Sequence, residues 1–196
     1  IAANAEGAIY AAGMDTLYSV DAQTGALQRI GSYNLSAVVN ALSFVPAGVL
    51  DDNSEVLIGA SSQGEVYRFN VTTGRAARIG QYPSPWGSAG DIVSIIGLGS
   101  YAIVSRQGQP NTLVRFTFSQ SGTPLFQVIG PIEDDRHGYV GIFGVAYWGR
   151  SLYGFTDFGE LIEINRDTAR ARLVSNNTGA SSFWGAGVTT RAFLIN

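Results

Sequence analysis

The sequence predicts an all-β fold, a four-bladed β-propeller whose blades are four-stranded antiparallel sheets. The first observation is a stretch that occurs four times: TLYSVDAQTGALQRIG from Thr16, EVYRFNVTTGRAARIG from Glu65, TLVRFTFSQSGTPLFQVIG from Thr112 and ELIEINRDTARARLVS from Glu160. The turn residue in each copy is, in order, Gly25, Gly74, Gly122 and Ala169, which lie 49, 48 and 47 positions apart. A fixed period of this size is typical of propellers and other repeat folds.

Within each round the pattern predicts consecutive antiparallel strands. In the first round, Leu17–Val20 alternates large apolar and small polar residues, which is the period of a half-buried strand. Asp21–Gly25 follows as a hairpin connection, with glycine where a positive φ is needed. The single predicted domain spans 1–196, and its blades are 8–33 together with 183–195, 36–82, 88–132 and 138–176.

The second observation is a leftover strand at the C-terminal end. Residues 183–190 read FWGAGVTT and resemble the opening strands of rounds two to four, whereas round one has no opening strand. We therefore expect the C-terminal strand to complete the first blade beside Ala8–Ala12 and so to close the ring, as propellers do to protect strand edges. An open β-meander, or a half propeller that dimerises, is the alternative.

Composition excludes several classes of function. Apolar residues make up 45% of the chain, charged residues 14%, and 25 residues are glycine, which favours an all-β protein. The net charge is −3 without a basic cluster, so nucleic acid is not an expected partner. The chain has no Cys, hence no thiolate metal site, and no apolar run of the roughly 18 residues that a membrane span needs. Because it starts at Ile1 rather than Met, we expect a processed or trimmed fragment. We expect the protein to be secreted or held at the cell surface.

Aligned, the rounds share the pattern Leu-Tyr…Asp-x-x-Thr-Gly…Ile-Gly, which resembles blades of the bacterial propellers that include PQQ-like and YWTD-like repeats. The segments from Gly90 (GDIVS), Gly144 (GVAYWG), Tyr153 (YGFT) and Phe183 (FWGAG) resemble uncharacterised exported bacterial propellers. The likeness covers nearly the whole chain and implies a fold without an assigned chemistry. Neither the tryptophan-docking motifs of PQQ enzymes nor a regular YWTD tetrapeptide is repeated, so no quinone cofactor is expected.

Inner strands line the channel of a propeller, and aligning them predicts one polar ring. Asn40, Asp91, Gly144 and Gly187 fall at equivalent positions. Two oxygen-bearing side chains near the axis, with backbone carbonyls, suit a hard cation or ordered waters. The alternative is that Asn40 and Asp91 satisfy neighbouring backbone groups. We expect no other cofactor.

Loops that differ from round to round predict a ligand-binding face at one end of the channel. Aromatic rings beside carboxylates and arginine suit small molecules, glycans or protein segments. Alternatively, the tryptophan side chains pack between blades as part of the core. The predicted ligand-binding residues are Trp86, Asp134, Arg136, His137, Tyr139, Asp157 and Trp184.

These features predict a non-catalytic binding or scaffold propeller of an exported bacterial protein. His137 is the one histidine, and no G-x-S-x-G turn or zinc-binding histidine pair is present, which weighs against an enzyme. One alternative is a propeller hydrolase or lyase with a carboxylate site at the channel mouth. Another is a purely structural repeat of a larger surface protein.

Overall fold

The computed structural model describes residues 1–191, which form sixteen β-strands in four sheets and no helix. No membrane-spanning helix is therefore found among these residues. The first sheet contains β1 (Ala2–Ala3), β2 (Ile9–Ala12), β3 (Thr16–Val20) and β4 (Leu27–Ser32); the second, β5 (Val39–Val45), β6 (Val56–Ser61), β7 (Glu65–Phe69) and β8 (Ala76–Gln81); the third, β9 (Gly87–Ile95), β10 (Gly99–Ser105), β11 (Thr112–Phe118) and β12 (Pro124–Pro131); the fourth, β13 (Ile142–Trp148), β14 (Ser151–Thr156), β15 (Leu161–Ile164) and β16 (Ala171–Ser175).

Each sheet is an antiparallel meander in chain order, and the four sheets are the blades of a four-bladed β-propeller. The predicted fold class is confirmed. Apolar side chains between neighbouring sheets form three core clusters, one between each pair of consecutive blades. Burial between the blades is what orients the sheets around a common axis, because each sheet has two faces to cover.

The repeated turn between the third and fourth strands of each blade adopts the predicted conformation. The φ angles are 72° at Gly25, 76° at Gly74 and 79° at Gly122, and Ala169 has 60°. Such positive values favour glycine because a Cβ crowds the backbone there. In the first blade, Asp21 Oδ1 accepts the N–H groups of residues 23 and 24, which fixes the turn.

The expected closure of the first blade by the C-terminal strand is wrong. The innermost strand of that sheet is β1, in which Ala2 pairs with Tyr10 and Ala3 pairs with Ile9. Residues 183–190 belong to no sheet, and 192–195 of the predicted strand lie outside the described residues. The N-terminal segment reaches the edge of β2 through a short turn in which the Asn4 side chain accepts the Ala8 N–H. Pairing through a short connection loses less conformational entropy than pairing between the two ends of the chain.

Candidate functional site

The residues around the propeller axis enclose a cavity of about 340 Å³. It is open at one end and lies between the starts of the inner strands β5 and β9, the N-terminal residue and the C-terminal segment. Its lining residues are Ile1, Ala12, Val39, Asn40, Ala41, Leu42, Ala89, Gly90, Asp91, Phe143 and Trp184. Both predicted channel residues and one predicted aromatic residue thus share one cavity.

Asp91 is a buried side chain in this cavity, since its residue is only 3% exposed. The Ala186 N–H donates a hydrogen bond of 2.6 Å to Asp91 Oδ2, and the Leu42 N–H also donates to the carboxylate. Burial raises the pKa of Asp91 to about 7, although the Ile1 amino group and the two N–H donors act in the opposite direction. Burial thus favours the neutral carboxyl group, which can donate a hydrogen bond, over the carboxylate, which can only accept.

Asn40 lines the same cavity but does not hydrogen-bond to Asp91. Its amide Nδ2 donates to the carbonyl oxygen of Ser88 at 2.9 Å, which ties β5 to β9. Both side chains thus use hydrogen bonds to backbone groups. Residues 1–191 contain no group of three or more His, Asp or Glu side chains placed to hold a metal ion.

An aromatic stack forms the rim of the cavity. The rings of Phe143 and Trp184 lie 5.4 Å apart between centroids and only 9° from parallel. Trp184 is 80% exposed, so its outer surface faces solvent at the cavity mouth. The alternative, in which this tryptophan packs between blades as core, is therefore wrong, and its ring is available for contact with a ligand.

Glycines let the C-terminal segment lie against β13. A Cβ built on Gly144 would meet the Ala186 Cβ and backbone nitrogen at 2.8 Å, which is too close for real atoms. The Phe183 N–H donates to the Thr156 carbonyl at 3.1 Å, and the Phe183 ring packs edge-on against Phe155. These contacts place Trp184 over the axis. Aligning the inner strands placed Gly144 at the channel, but this close approach was not predicted.

Four other predicted residues come together in the loop between β12 and β13. Asp134 Oδ1 accepts the N–H groups of Arg136 at 2.8 Å and His137 at 2.9 Å, and Oδ2 accepts the Tyr139 hydroxyl at 3.1 Å. The His137 and Arg136 backbone donors hold the pKa of Asp134 well below its usual range. The carboxylate is thus occupied in closing its own loop. None of the four lines the axial cavity.

The remaining two predicted residues occupy separate places. Asp157 lies in the turn between β14 and β15, where its N–H donates to the Gly141 carbonyl at 2.9 Å. Trp86 is half-buried against the core between the second and third blades, and the Arg106 guanidinium lies 4.9 Å from its ring centre. For Trp86 the structure shows the core packing that the sequence left as an alternative. Sequence reasoning missed Phe143, because an aromatic residue in an inner strand gives no signal distinct from core.

The chain resembles solved propellers at low sequence identity. It aligns with a protein of unknown function from Bacteroides thetaiotaomicron VPI-5482 at 18% identity and a TM-score of 0.56, covering 89% of this chain and 46% of that one. The PQQ-bound aldose sugar dehydrogenase of Streptomyces coelicolor aligns at 12% identity and a TM-score of 0.55, covering 95% of this chain and 83% of that one. The extracellular domain of BT4673 from B. thetaiotaomicron aligns at 13% identity and a TM-score of 0.51, covering 94% of this chain and 24% of that one.

Comparisons of the sequence do not assign the chain to a family. No protein-family model matches the sequence, and no curated protein matches it. The chain spans less than half the length of two of the three solved proteins above. At these identities the likeness establishes the fold alone, and a β-propeller supports a binding or scaffold role in general.

Proposed function

We propose that this chain is a non-catalytic binding module and that its ligand enters the axial cavity past Trp184. The observation that carries the proposal is an exposed tryptophan, stacked on Phe143, at the mouth of a cavity that holds the buried Asp91. Apolar walls with a few convergent polar groups are typical of small-molecule sites.

The chemistry of the lining favours a small polar ligand with a flat apolar surface, such as a sugar. The Trp184 ring supplies a stacking surface, while the Asn40 amide and the Asp91 carboxyl supply hydrogen bonds at the cavity wall. The volume of about 340 Å³ lies at the lower end of the range for ligand pockets, which suits one or two sugar rings.

A carboxylate-based hydrolase fits these residues less well. Acid–base catalysis by paired carboxylates needs two such groups within reach of the substrate. Among the described residues that line the cavity, Asp91 is the one with a carboxyl side chain. Because the cavity lining offers one carboxyl group where such catalysis needs two, we favour binding over catalysis.

The test is a glycan array followed by calorimetry on each hit, with wild type, Trp184→Ala and Asp91→Asn. We expect both variants to weaken binding roughly thirtyfold, the effect of losing about 2 kcal/mol. Trp148→Ala is the matched control, because Trp148 is also exposed but ends β13, the strand in which Phe143 stands near the start. A sugar whose affinity falls only with Trp148→Ala would refute the site, and turnover of a bound sugar would favour the hydrolase.

We also propose that the protein is exported by a bacterium and acts at the cell surface or outside the cell. The support is the resemblance of its repeats to exported propellers and the extracellular location of one solved protein of the same fold. Immunodetection in fractionated cells of the source organism tests this, and a wholly cytoplasmic signal would refute it.

A further inference from the structure

A second cavity, of about 330 Å³, lies at the end of the inner strands opposite to the axial cavity. Val45 ends β5 and Ile95 ends β9, and both line this cavity, whereas the axial cavity is lined by the first residues of β5. The full lining is Val45, Pro46, Gly48, Val49, Ser94, Ile95, Gly97, Leu98, Gly99, Ser100, Arg115, Thr117 and Phe118. The two cavities have no lining residue in common, so a ligand in one does not touch the side chains that line the other.

Most of the wall of this second cavity is apolar, and it has one polar patch. The Val45 and Ile95 side chains are buried in the wall, while Val49 is exposed to solvent. The Ser94 and Ser100 hydroxyls are also buried here and lie 2.7 Å apart, so one donates a hydrogen bond to the other. An apolar wall with a few polar groups is typical of small-molecule sites.

Arg115 is the one charged residue of this lining, and we therefore call the site the Arg115 cavity. Its Nε donates to the Leu98 carbonyl oxygen at 2.9 Å, which holds the half-buried side chain beside the turn between β9 and β10. The neighbouring Gly99 has a φ of 94°, a value that favours glycine, so the sequence of this turn supports the conformation that presents the Leu98 carbonyl.

The repeats show that Arg115 lacks the charged partner that its counterparts have. The fourth residue of the repeated stretch is Arg68 in the second blade and Glu163 in the fourth. Arg68 Nη2 lies 3.7 Å from Asp51 Oδ2, and Glu163 forms an ion pair with Arg172. In the part of the chain that the structure describes, no Asp or Glu side chain forms an ion pair with Arg115. The physical reason is local, because the loop before β6 supplies Asp51 whereas the short turn before β10 has no acidic residue.

We propose that the Arg115 cavity binds a small carboxylate with an apolar body, the carboxylate on the Arg115 guanidinium and the body against the ends of β5 and β9. A guanidinium and a carboxylate match each other through two parallel N–H···O bonds, and Nη1 and Nη2 are the donors left once Nε is bonded to Leu98. A half-buried charge without a counter-ion costs free energy, which an anionic ligand offsets. The volume of about 330 Å³ lies at the lower end of the range for ligand pockets, which limits the ligand to a small molecule.

Heteronuclear NMR titration of the full chain tests the proposal, with phenylacetate as the probe and phenylacetamide as its uncharged counterpart. We expect phenylacetate to shift the amide signals of Gly97, Gly99 and Ser100 in a saturable way, and phenylacetamide to bind much more weakly. Arg115→Gln should weaken phenylacetate binding roughly tenfold or more, which is the effect of losing a charge-assisted hydrogen bond. Arg29→Gln is the matched control, because Arg29 is exposed on β4 of the first blade and should leave the affinity unchanged.

A second pair of variants tests the site without removing the arginine. Val49→Glu places a negative charge at an exposed position of the lining and should weaken phenylacetate binding more than the uncharged Val49→Gln. If Arg115→Gln fails to give a cooperative melt, this pair decides. The proposal is overturned if phenylacetate gives no saturable shifts at millimolar concentration, if phenylacetamide binds as tightly, if a folded Arg115→Gln keeps the wild-type affinity, or if the two Val49 variants bind equally. It is also overturned if Trp184→Ala abolishes binding, because the probe would then occupy the axial cavity.

Discussion

The second and third blades follow the same repeat as the fourth blade but differ from it in how they are covered. All of β6, and β10 between its terminal residues, is buried on both faces, whereas β14 and β15 alternate residue by residue between buried and half-buried. A sheet that lies between two others has to be apolar on both faces, whereas a sheet at the end of the series needs only one apolar face. The fourth blade nevertheless keeps Tyr153, Phe155 and Leu161 on its less covered side. Its sequence is that of an internal blade, although its position is terminal.

The largest expected effect comes from truncating the same side chain in the third and fourth blades. Leu113→Ala removes a fully buried side chain between the third and fourth blades and should lower the free energy of unfolding by about 3 kcal/mol. Leu161→Ala, at the equivalent half-buried position, should cost roughly 1 kcal/mol, because less apolar area leaves water there on folding. Urea unfolding of both variants with an unchanged m-value is the measurement. Equal losses would show that the two faces are covered alike.

A smaller effect is expected where outer strands meet the next turn. A Cβ on Gly31 would overlap the carbonyl oxygen of Thr73, so Gly31→Ala should cost about 2 kcal/mol through overpacking. At Gly130 the nearest atoms lie 3.8 Å from such a Cβ, so Gly130→Ala should be neutral or stabilise by about 0.5 kcal/mol. Thermal melts of the two variants make the comparison. Similar losses in both would mean that the third junction is as tight as the first.

The last comparison concerns how steeply stability changes with pH. The raised pKa of Asp91, about 7 against an ordinary 3.8, means that the folded state binds more protons between those values. The free energy of unfolding should therefore fall as pH rises from about 4 to 7, by at most about 1.4 kcal/mol per pH unit from this group. Asp91→Asn should flatten that part of the profile, whereas Asp52→Asn, at an exposed turn position, is the control. Parallel profiles for wild type and Asp91→Asn would contradict the burial argument.

Much of the fold could be predicted because its determinants are local. The period from Gly25 to Ala169, the alternation within strands and the glycine turns each depend on neighbouring residues, and the chain repeats them four times. Asn40 and Asp91 could be placed in one ring by aligning inner strands, and the structure puts both at one cavity. Sequence reasoning left open whether the two side chains would bond to backbone groups, and the structure shows that both do.

Tertiary structure decided which segment completes the first blade, and with it the shape of the cavity. Ala2–Ala3 and residues 183–190 both carry small apolar residues suited to an inner strand, so pattern alone does not separate them. The short turn after Ala3 brings β1 to the edge of β2, and the C-terminal segment then lies across the axis with Ala186 on Asp91. The sequence by itself determined the blades, because strands and turns form from local contacts. The site depended on which of two distant segments, Ala2–Ala3 or residues 183–190, pairs with the edge of β2. Loop-closure entropy and packing decide this only in the folded molecule.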